Sequence, residues 1–389
     1  MSQYKEAIQY YQKSLAIAQE IKDNRGEISI LANLGRAYLA LGDYARSIEL
    51  YQQLLNLAKK LNDTQEQAFA QMLLQKVQAE KFFQDGNKQR GSKKFDSAIQ
   101  FYQQALKIFQ ELEDVPGQGK ALGLLGLTSA EQENYTSALT YHHQALAIAR
   151  KLHNSLVEGQ ALGDLGRYYD FLGEYGKAIE YKQQSLLVFQ QIKNREREAS
   201  ALLNLGDTYL ILADYIQAAK YAEQGLAVAR EVHDSYTETA ALMSLGIAFY
   251  RAGLDTKSIE YYEQSLAIVK THNYLELEDA AFGNLSATYL RLGEFSKGIE
   301  YAEQQLRLAQ ETKIRSSEME VLGNLGLAYL HLGNYQRSID YQQQALLIAR
   351  EIKDLQMEGE SLGNIGSTFY KMGKLPEAES RLYNSIEPI

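Results

Sequence analysis

The residues best suited to acid–base or metal chemistry at neutral pH are six histidines, His142, His143, His153, His233, His272 and His331. None stands in an HExxH or other metal-ligand spacing. The 389 residues include no cysteine, which excludes disulfides, a thiolate nucleophile and a Cys-ligated zinc or iron–sulfur centre. The segment GQGKALGLLG at Gly117–Gly126 has the glycines and lysine of a phosphate loop without their spacing. Ala121 follows the lysine where a magnesium-binding hydroxyl would be needed, and no strand precedes it. No GxSxG nucleophile turn occurs. The carboxylates fall at helix starts or at repeated positions, so no catalytic pair departs from the pattern. The expectation is a non-catalytic chain with no cofactor and no metal. His142 and His143 read as a surface variant, YHHQAL, of a recurring YQQQAL.

What remains is recognition chemistry. Asparagine recurs at Asn33, Asn204, Asn284, Asn324 and Asn364, with Asp164 and Ser244 as substitutes and Leu124 as the outlier. An amide offers both a donor and an acceptor. A ladder of them can pair with the backbone of an extended peptide, or tie neighbouring helices together. Three residues on, the positions vary: Arg36, Leu127, Arg167, Asp207, Ile247, Ala287, Leu327 and Ser367. Four further on stand Ala40, Glu131, Phe171, Ile211 and then Arg251, Arg291, His331 and Lys371, a basic stripe toward the C-terminal half. Such a stripe attracts acidic segments by its local field. The competing arrangement pairs these cations with Glu320, Glu360 and Asp207. Leu203, Met243, Ile247 and Tyr250 supply an apolar sector beside it. A glutamine ladder, from Gln53 to Gln344, faces solvent or bridges neighbours.

Overall charge limits the partners. Lys+Arg 40 against Asp+Glu 49 leaves a formal net charge of -9, which argues against nucleic acid and anionic membrane surfaces. No run approaches the 18 apolar residues of a membrane span, and MSQYKEAIQYYQKSL shows no secretory signal. The expected location is cytoplasmic.

These side chains must be held by a repeated element. A small residue before an apolar–Tyr pair recurs at Ala7, Ser47, Ala98, Ala138, Ala178, Ala218, Ser258, Gly298, Ser338 and Ala378, spaced by 40, 51 and then 40 residues throughout. A fixed period of this size signals a solenoid. Each unit predicts two helices. In the first, Leu322, Leu325, Gly326 and Tyr329 share a face; in the second, Tyr335, Ser338, Ile339 and Leu346 do. Glycines such as Gly42 and Gly333 stop the first helix. Asp or Asn at Asp23, Asn154 or Asp354, with Glu four residues later, starts the next. A second glycine, inside the first helix, recurs at Gly35, Gly86, Gly126, Gly166, Gly206, Gly246, Gly326 and Gly366, with Ser286 in its place once. A mid-helix glycine costs about 1 kcal/mol, so its recurrence implies a crossing too close for a side chain. The small marker residue is the expected contact.

The LxNLGxAYxxLGxY pattern of Leu31–Tyr44, with the small residue and its following Tyr, resembles the tetratricopeptide repeat across essentially the whole chain. The 40-residue unit is similar to the long-repeat subclass of Pins/LGN-type adaptors and kinesin light chains, and to bacterial, especially cyanobacterial, arrays. The proline that often closes the shorter repeat is missing. The resemblance implies an all-α, right-handed superhelical solenoid of antiparallel helix pairs whose first helices line a concave surface. It implies one array over 1–389: an opening half-repeat 1–22, repeats 23–62, 63–113, 114–153, 154–193, 194–233, 234–273, 274–313 and 314–353, and a terminal repeat 354–389.

The eleven extra residues in 63–113 come close to three helical turns. They suggest either an elongated helix pair or a basic protrusion carrying Lys76, Lys81, Lys88, Arg90, Lys93 and Lys94. The chain opens on a second helix and closes on one at 376–386, so its apolar ends suggest a homodimer or end-to-end assembly. The expected role is a scaffold that binds a protein or extended peptide, acidic with hydrophobic anchors, in the concave groove. The expected contacts are Asn33, Arg36, Arg167, Asn204, Tyr250, Arg251, Asn284, Arg291, Asn324, His331, Asn364, Tyr370 and Lys371. The alternatives are a regulatory or sensor array of a larger signalling system, and self-assembly. Most of the 28 Tyr fall at four repeated packing positions; Tyr250 and Tyr370 do not, and are placed on the concave face.

Overall fold

The structure is a computed structural model that describes residues 2–373; the expected last helix, with Ala378 and Tyr383, lies outside the described residues. Eighteen α-helices and no strand occur among the described residues. The chain divides into two compact units, Met1–Val188 and Phe189–Ile389. The first holds α1 (Ser2–Glu20), α2 (Asn24–Ala40), α3 (Tyr44–Lys60), α4 (Thr64–Gly91), α5 (Phe95–Glu111), α6 (Val115–Glu131), α7 (Tyr135–Lys151), α8 (Ser155–Phe171) and most of α9 (Tyr175–Gln191). The second holds α10 (Arg195–Ile211), α11 (Tyr215–Glu231), α12 (Ser235–Arg251), α13 (Asp255–His272), α14 (Leu275–Arg291), α15 (Phe295–Thr312), α16 (Arg315–His331), α17 (Tyr335–Ile352) and α18 (Leu355–Lys371).

Helix ends follow the residues that mark them. Asp23 accepts from the Gly26 N–H at 3.0 Å, and Asn194 and Asp354 cap α10 and α18 in the same way. Gly42, Gly253 and Gly333 stop their helices with φ of 77°, 77° and 73°. At the corresponding stop after α10 the left-handed residue is Ala213, with φ 57°.

The close crossing within each pair is visible at the glycines. A Cβ on Gly35 would lie 2.2 Å from the Tyr51 ring, and one on Gly246 would lie 2.3 Å from the Tyr262 ring. The residue covering the glycine is therefore the side chain four positions past the small marker. The marker contributes a backbone bond: Ser47 Oγ donates to the Gly35 carbonyl and Ser258 Oγ to that of Gly246, both at 2.8 Å. Where the covering position is Ala302, the first helix carries Ser286 and tolerates it.

Tyrosine packs in a second repeated layer. Tyr169 stacks on Tyr181, Phe249 on Tyr261, Tyr289 on Tyr301 and Tyr329 on Tyr341, with centroids 5.4 to 5.6 Å apart. Lys177, Lys257, Lys297 and Arg337 lie over the first ring of each pair. Each pair of rings contributes about 0.5–1.5 kcal/mol beyond its buried area.

The eleven extra residues all enter α4, which runs 28 residues while α5 keeps 17. The helix pair is not elongated as a whole. Ala70, Leu73 and Val77 pack into the core formed with α2 and α3, whereas Ala79 and Phe83 pack with α5 and α6. The basic residues do not form a protrusion. Lys76 bonds Asp114 at 3.0 Å and Arg90 bonds Glu131 at 2.7 Å, both on or beside α6.

Two glycine substitutions should act with opposite sign. Gly246→Ala meets the Tyr262 ring and is expected to cost about 1–3 kcal/mol. Gly123→Ala meets nothing within 4 Å and should gain about 0.5–1 kcal/mol. Urea midpoints that move the same way for both would refute the steric account.

Candidate partner-binding groove

In the second unit, two adjoining clefts run across α14, α16 and α18. The first, about 360 Å³, is walled by Ala287 and Leu290 of α14, Phe295 of α15, and Leu327 and His331 of α16. The second, about 440 Å³, is lined by Met319 and Glu320 of α16, Gln342 of α17, Asp354, and Met357, Glu360 and Asn364 of α18. Asn324 and Leu327 line both, so the clefts share one wall.

Four asparagines of the ladder, Asn33, Asn284, Asn324 and Asn364, do not tie the helices together among the described residues. Asn33, Asn284 and Asn364 are half-buried and Asn324 is exposed. Among the described residues none of these four side-chain amides has a hydrogen-bond partner; only the backbone carbonyls of Asn284 and Asn364 accept, from Thr288 and Thr368. The carbonyl of Asn204 accepts from Thr208 at 3.4 Å. Asn33, Arg36 and Arg167 belong to the first unit. There Arg36 lies over the Phe69 ring, and Arg167 bonds Asp164 at 2.8 Å.

The basic stripe is not uniform. Arg291 stacks on Tyr250, 3.4 Å from the ring centroid, donates to the Tyr250 carbonyl at 2.7 Å and pairs with Asp255. It is a tie between helix pairs. His331 stacks on Phe295, with centroids 6.1 Å apart. Arg251 and Lys371 are exposed and have no carboxylate partner among the described residues, and Tyr370 is 64% exposed. The cross-unit pairing expected with Glu320 and Glu360 does not form. The apolar sector also differs from expectation. Met243 is buried, Leu203 packs over Gly225, and Ile247 packs against the core of α13 and α14, so these three serve the interior. The glutamines from Gln53 to Gln344 are mostly exposed, bonding locally where they bond at all, as Gln344 does to the Asp340 carbonyl.

The second cleft escaped sequence reasoning, although a signal exists. Four residues before the asparagine position, the copies read Ser29, Lys120, Gln160, Ser200, Ala240 and Ala280, and are acidic at Glu80 of the long helix and in succession at Glu320 and Glu360. Gln342 was hidden by lying at the covering position over Gly326. It is fully buried and donates to the Gly323 carbonyl at 2.9 Å, while its Oε1 has no partner. Among the described residues no group of three or more His, Asp or Glu could hold a metal ion, and no helix is long and apolar enough to cross a membrane.

A family profile described as tetratricopeptide repeat matches residues 1–60, 89–151, 117–191, 172–231, 197–271 and 317–387. Tetratricopeptide repeat protein 29 of Trypanosoma brucei brucei (strain 927/4 GUTat10.1) is 26% identical over 122 residues, which span 31% of this chain and 23% of that relative. Among solved structures, a signal transduction ATPase with numerous domains and a tetratricopeptide repeat sensor, from Pyrococcus horikoshii, is similar. Its TM-score is 0.61 at 15% identity over 87% of this chain and 52% of that one. The apo quorum sensor NprR from B. thuringiensis gives a TM-score of 0.60 at 12% identity, covering 95% and 99%. At these identities the likeness is one of fold.

The covering position also corrects the reading of His142. It is not a surface residue: its ring is 4% exposed, lies over Gly126 and packs 5.2 Å from Tyr168, with Nδ1 3.8 Å from Asp164. At the same position Lys182 forms a buried ion pair with Asp170. Burial pushes the His142 imidazole below its ordinary value of 6.5; Asp164 opposes the shift, and Arg167 and His143 add to it. Below 6.5 the unfolded chain therefore holds a proton that the folded chain refuses. Stability is full above that value and is lost as pH falls through it. His142→Gln, the residue used at 342, should shrink the drop in urea midpoint between about pH 7.5 and about pH 5.5. An unchanged drop would assign the acid sensitivity elsewhere.

Proposed function

The chain belongs to the tetratricopeptide repeat family, and from that premise we propose that it is a non-catalytic scaffold that holds an extended segment of a partner protein along α14, α16 and α18. One observation carries this reading: the two clefts are continuous through Asn324 and Leu327, and the ladder amides Asn324 and Asn364 in their lining present unpaired donors and acceptors. An extended backbone needs such partners at intervals, while side-chain pockets between them supply selection. Weak contacts from successive repeats then add along one ligand. His331 of α16 and Tyr370 and Lys371 of α18 lie on the same helices and, with Arg251 at the end of α12, complete the proposed contact set. Arg291 and Tyr250 support it from beneath by holding α14 against the preceding pair.

A regulatory variant, in which the occupied groove biases an effector, draws support from two neighbours of the same fold whose names describe a sensor. It uses the same groove.

The test is site-directed photocrosslinking in lysate of the native host. A benzophenone amino acid replaces either Leu327, in the groove, or Leu347, which is 66% exposed on α17. Adducts are expected from position 327 and not from position 347. Equal yields from both would sink groove capture.

A further inference from the structure

The second cleft carries three carboxylates and no Lys or Arg in its lining. Glu320, Asp354 and Glu360 line it, and none of the three has a cation partner among the described residues. Asp354 accepts from the Met357 N–H at 3.0 Å and Glu360 from Gln356 at 3.1 Å, which leaves carboxylate oxygens of both for a ligand. The independent observation lies in the interior. Gln342 lines the same cleft, is fully buried, and spends its donor on Gly323 while Oε1 is left without one. Buried side-chain acceptors in folded proteins are almost always satisfied. This one belongs to a residue that lines the cleft, where a donor-rich group would complement it.

We propose that the second cleft takes the cationic side chain, arginine or lysine, of an extended peptide, with an apolar side chain of the same peptide in the first cleft. This rests on the groove reading above and names its ligand. A guanidinium or ammonium is all donors, so it matches three carboxylates and an orphaned amide oxygen. Its aliphatic stem lies on Met319 and Met357, which adapt to such stems. Leu290, Phe295 and Leu327 wall the neighbouring cleft and suit an aliphatic or aromatic residue. Neighbouring helices pack about 8–10 Å apart, a distance an extended chain covers in about three residues. The preferred pattern is thus an apolar residue and a cation about three positions apart. The acidic ligand expected from the basic stripe would place its carboxylates against Glu320 and Glu360.

The probe is a random twelve-residue peptide library displayed on phage, panned on the whole chain, with recovered peptides measured by fluorescence polarisation. Enrichment of Arg or Lys about three residues from Leu, Ile, Phe or Met is expected. Glu320→Gln with Glu360→Gln should weaken those peptides by about tenfold or more, with helicity unchanged, and added salt should weaken them further. Acidic or uncharged peptides whose binding is lost in Leu327→Asp would overturn the cation site and leave groove capture standing. Failure to recover any peptide sensitive to Leu327→Asp would overturn both.

Discussion

Most of the described helix pairs depend on one contact: the first helix gives up a Cβ so that a side chain of the second can lie on its backbone. Tyr51 on Gly35, Tyr102 on Gly86, His142 on Gly126 and Gln342 on Gly326 are versions of that contact. Because the glycine backbone offers only a surface, it does not dictate the chemistry of what covers it. Tyrosine, histidine, lysine and glutamine all occupy the position and all are buried. The groove inherits this freedom. Gln342 reaches the second cleft from a packing position, and a tyrosine there would have filled the same space with a ring.

Charge is distributed on the same logic. Cations that the sequence pattern suggests are free can be consumed by the frame. Arg291 is committed to Tyr250 and Asp255, and Arg195 and Arg315 each bridge two glutamates, one on each helix of their own repeat. Their outer arms, to Glu231 and Glu351, are exposed and add little stability singly, but the pairs remove charge from the surface. What remains, besides the exposed Arg251 and Lys371, is a carboxylate cluster beside an apolar cleft, inside a protein whose net charge is already -9.

The parts of the fold governed by local chemistry were legible before any coordinates. Caps at Asp23 and Asp354, stops at Gly42 and Gly333, and the close crossing at Gly35 each announce themselves by residue type and spacing. Legibility failed where a repeated position changed its residue without changing its role. His142 looked like a polar surface variant because the run of glutamines in YQQQAL reads as a polar face, and Gln343 and Gln344 are exposed, yet its second position is the covering one. Ala213 carries a left-handed turn where other copies have glycine, because the cap geometry outweighs the strain of a single Cβ. The second cleft stayed hidden because its residues come from α16, α17 and α18 and lie far apart in sequence.

The long helix α4 fixes which lengths this chain can accept. At about 100° per residue, eleven residues turn a helix about three full turns and roughly 20° more. Phe83 and Gly86 therefore still face α5, while Ala70 and Leu73 face α3. An insertion of ten would rotate one end by roughly 80° the other way and swing Gly86 off the Tyr102 ring. Growth of such an array within a helix is thus quantised. Lengths near whole numbers of turns extend the wall, and all others would break the register between one pair and the next.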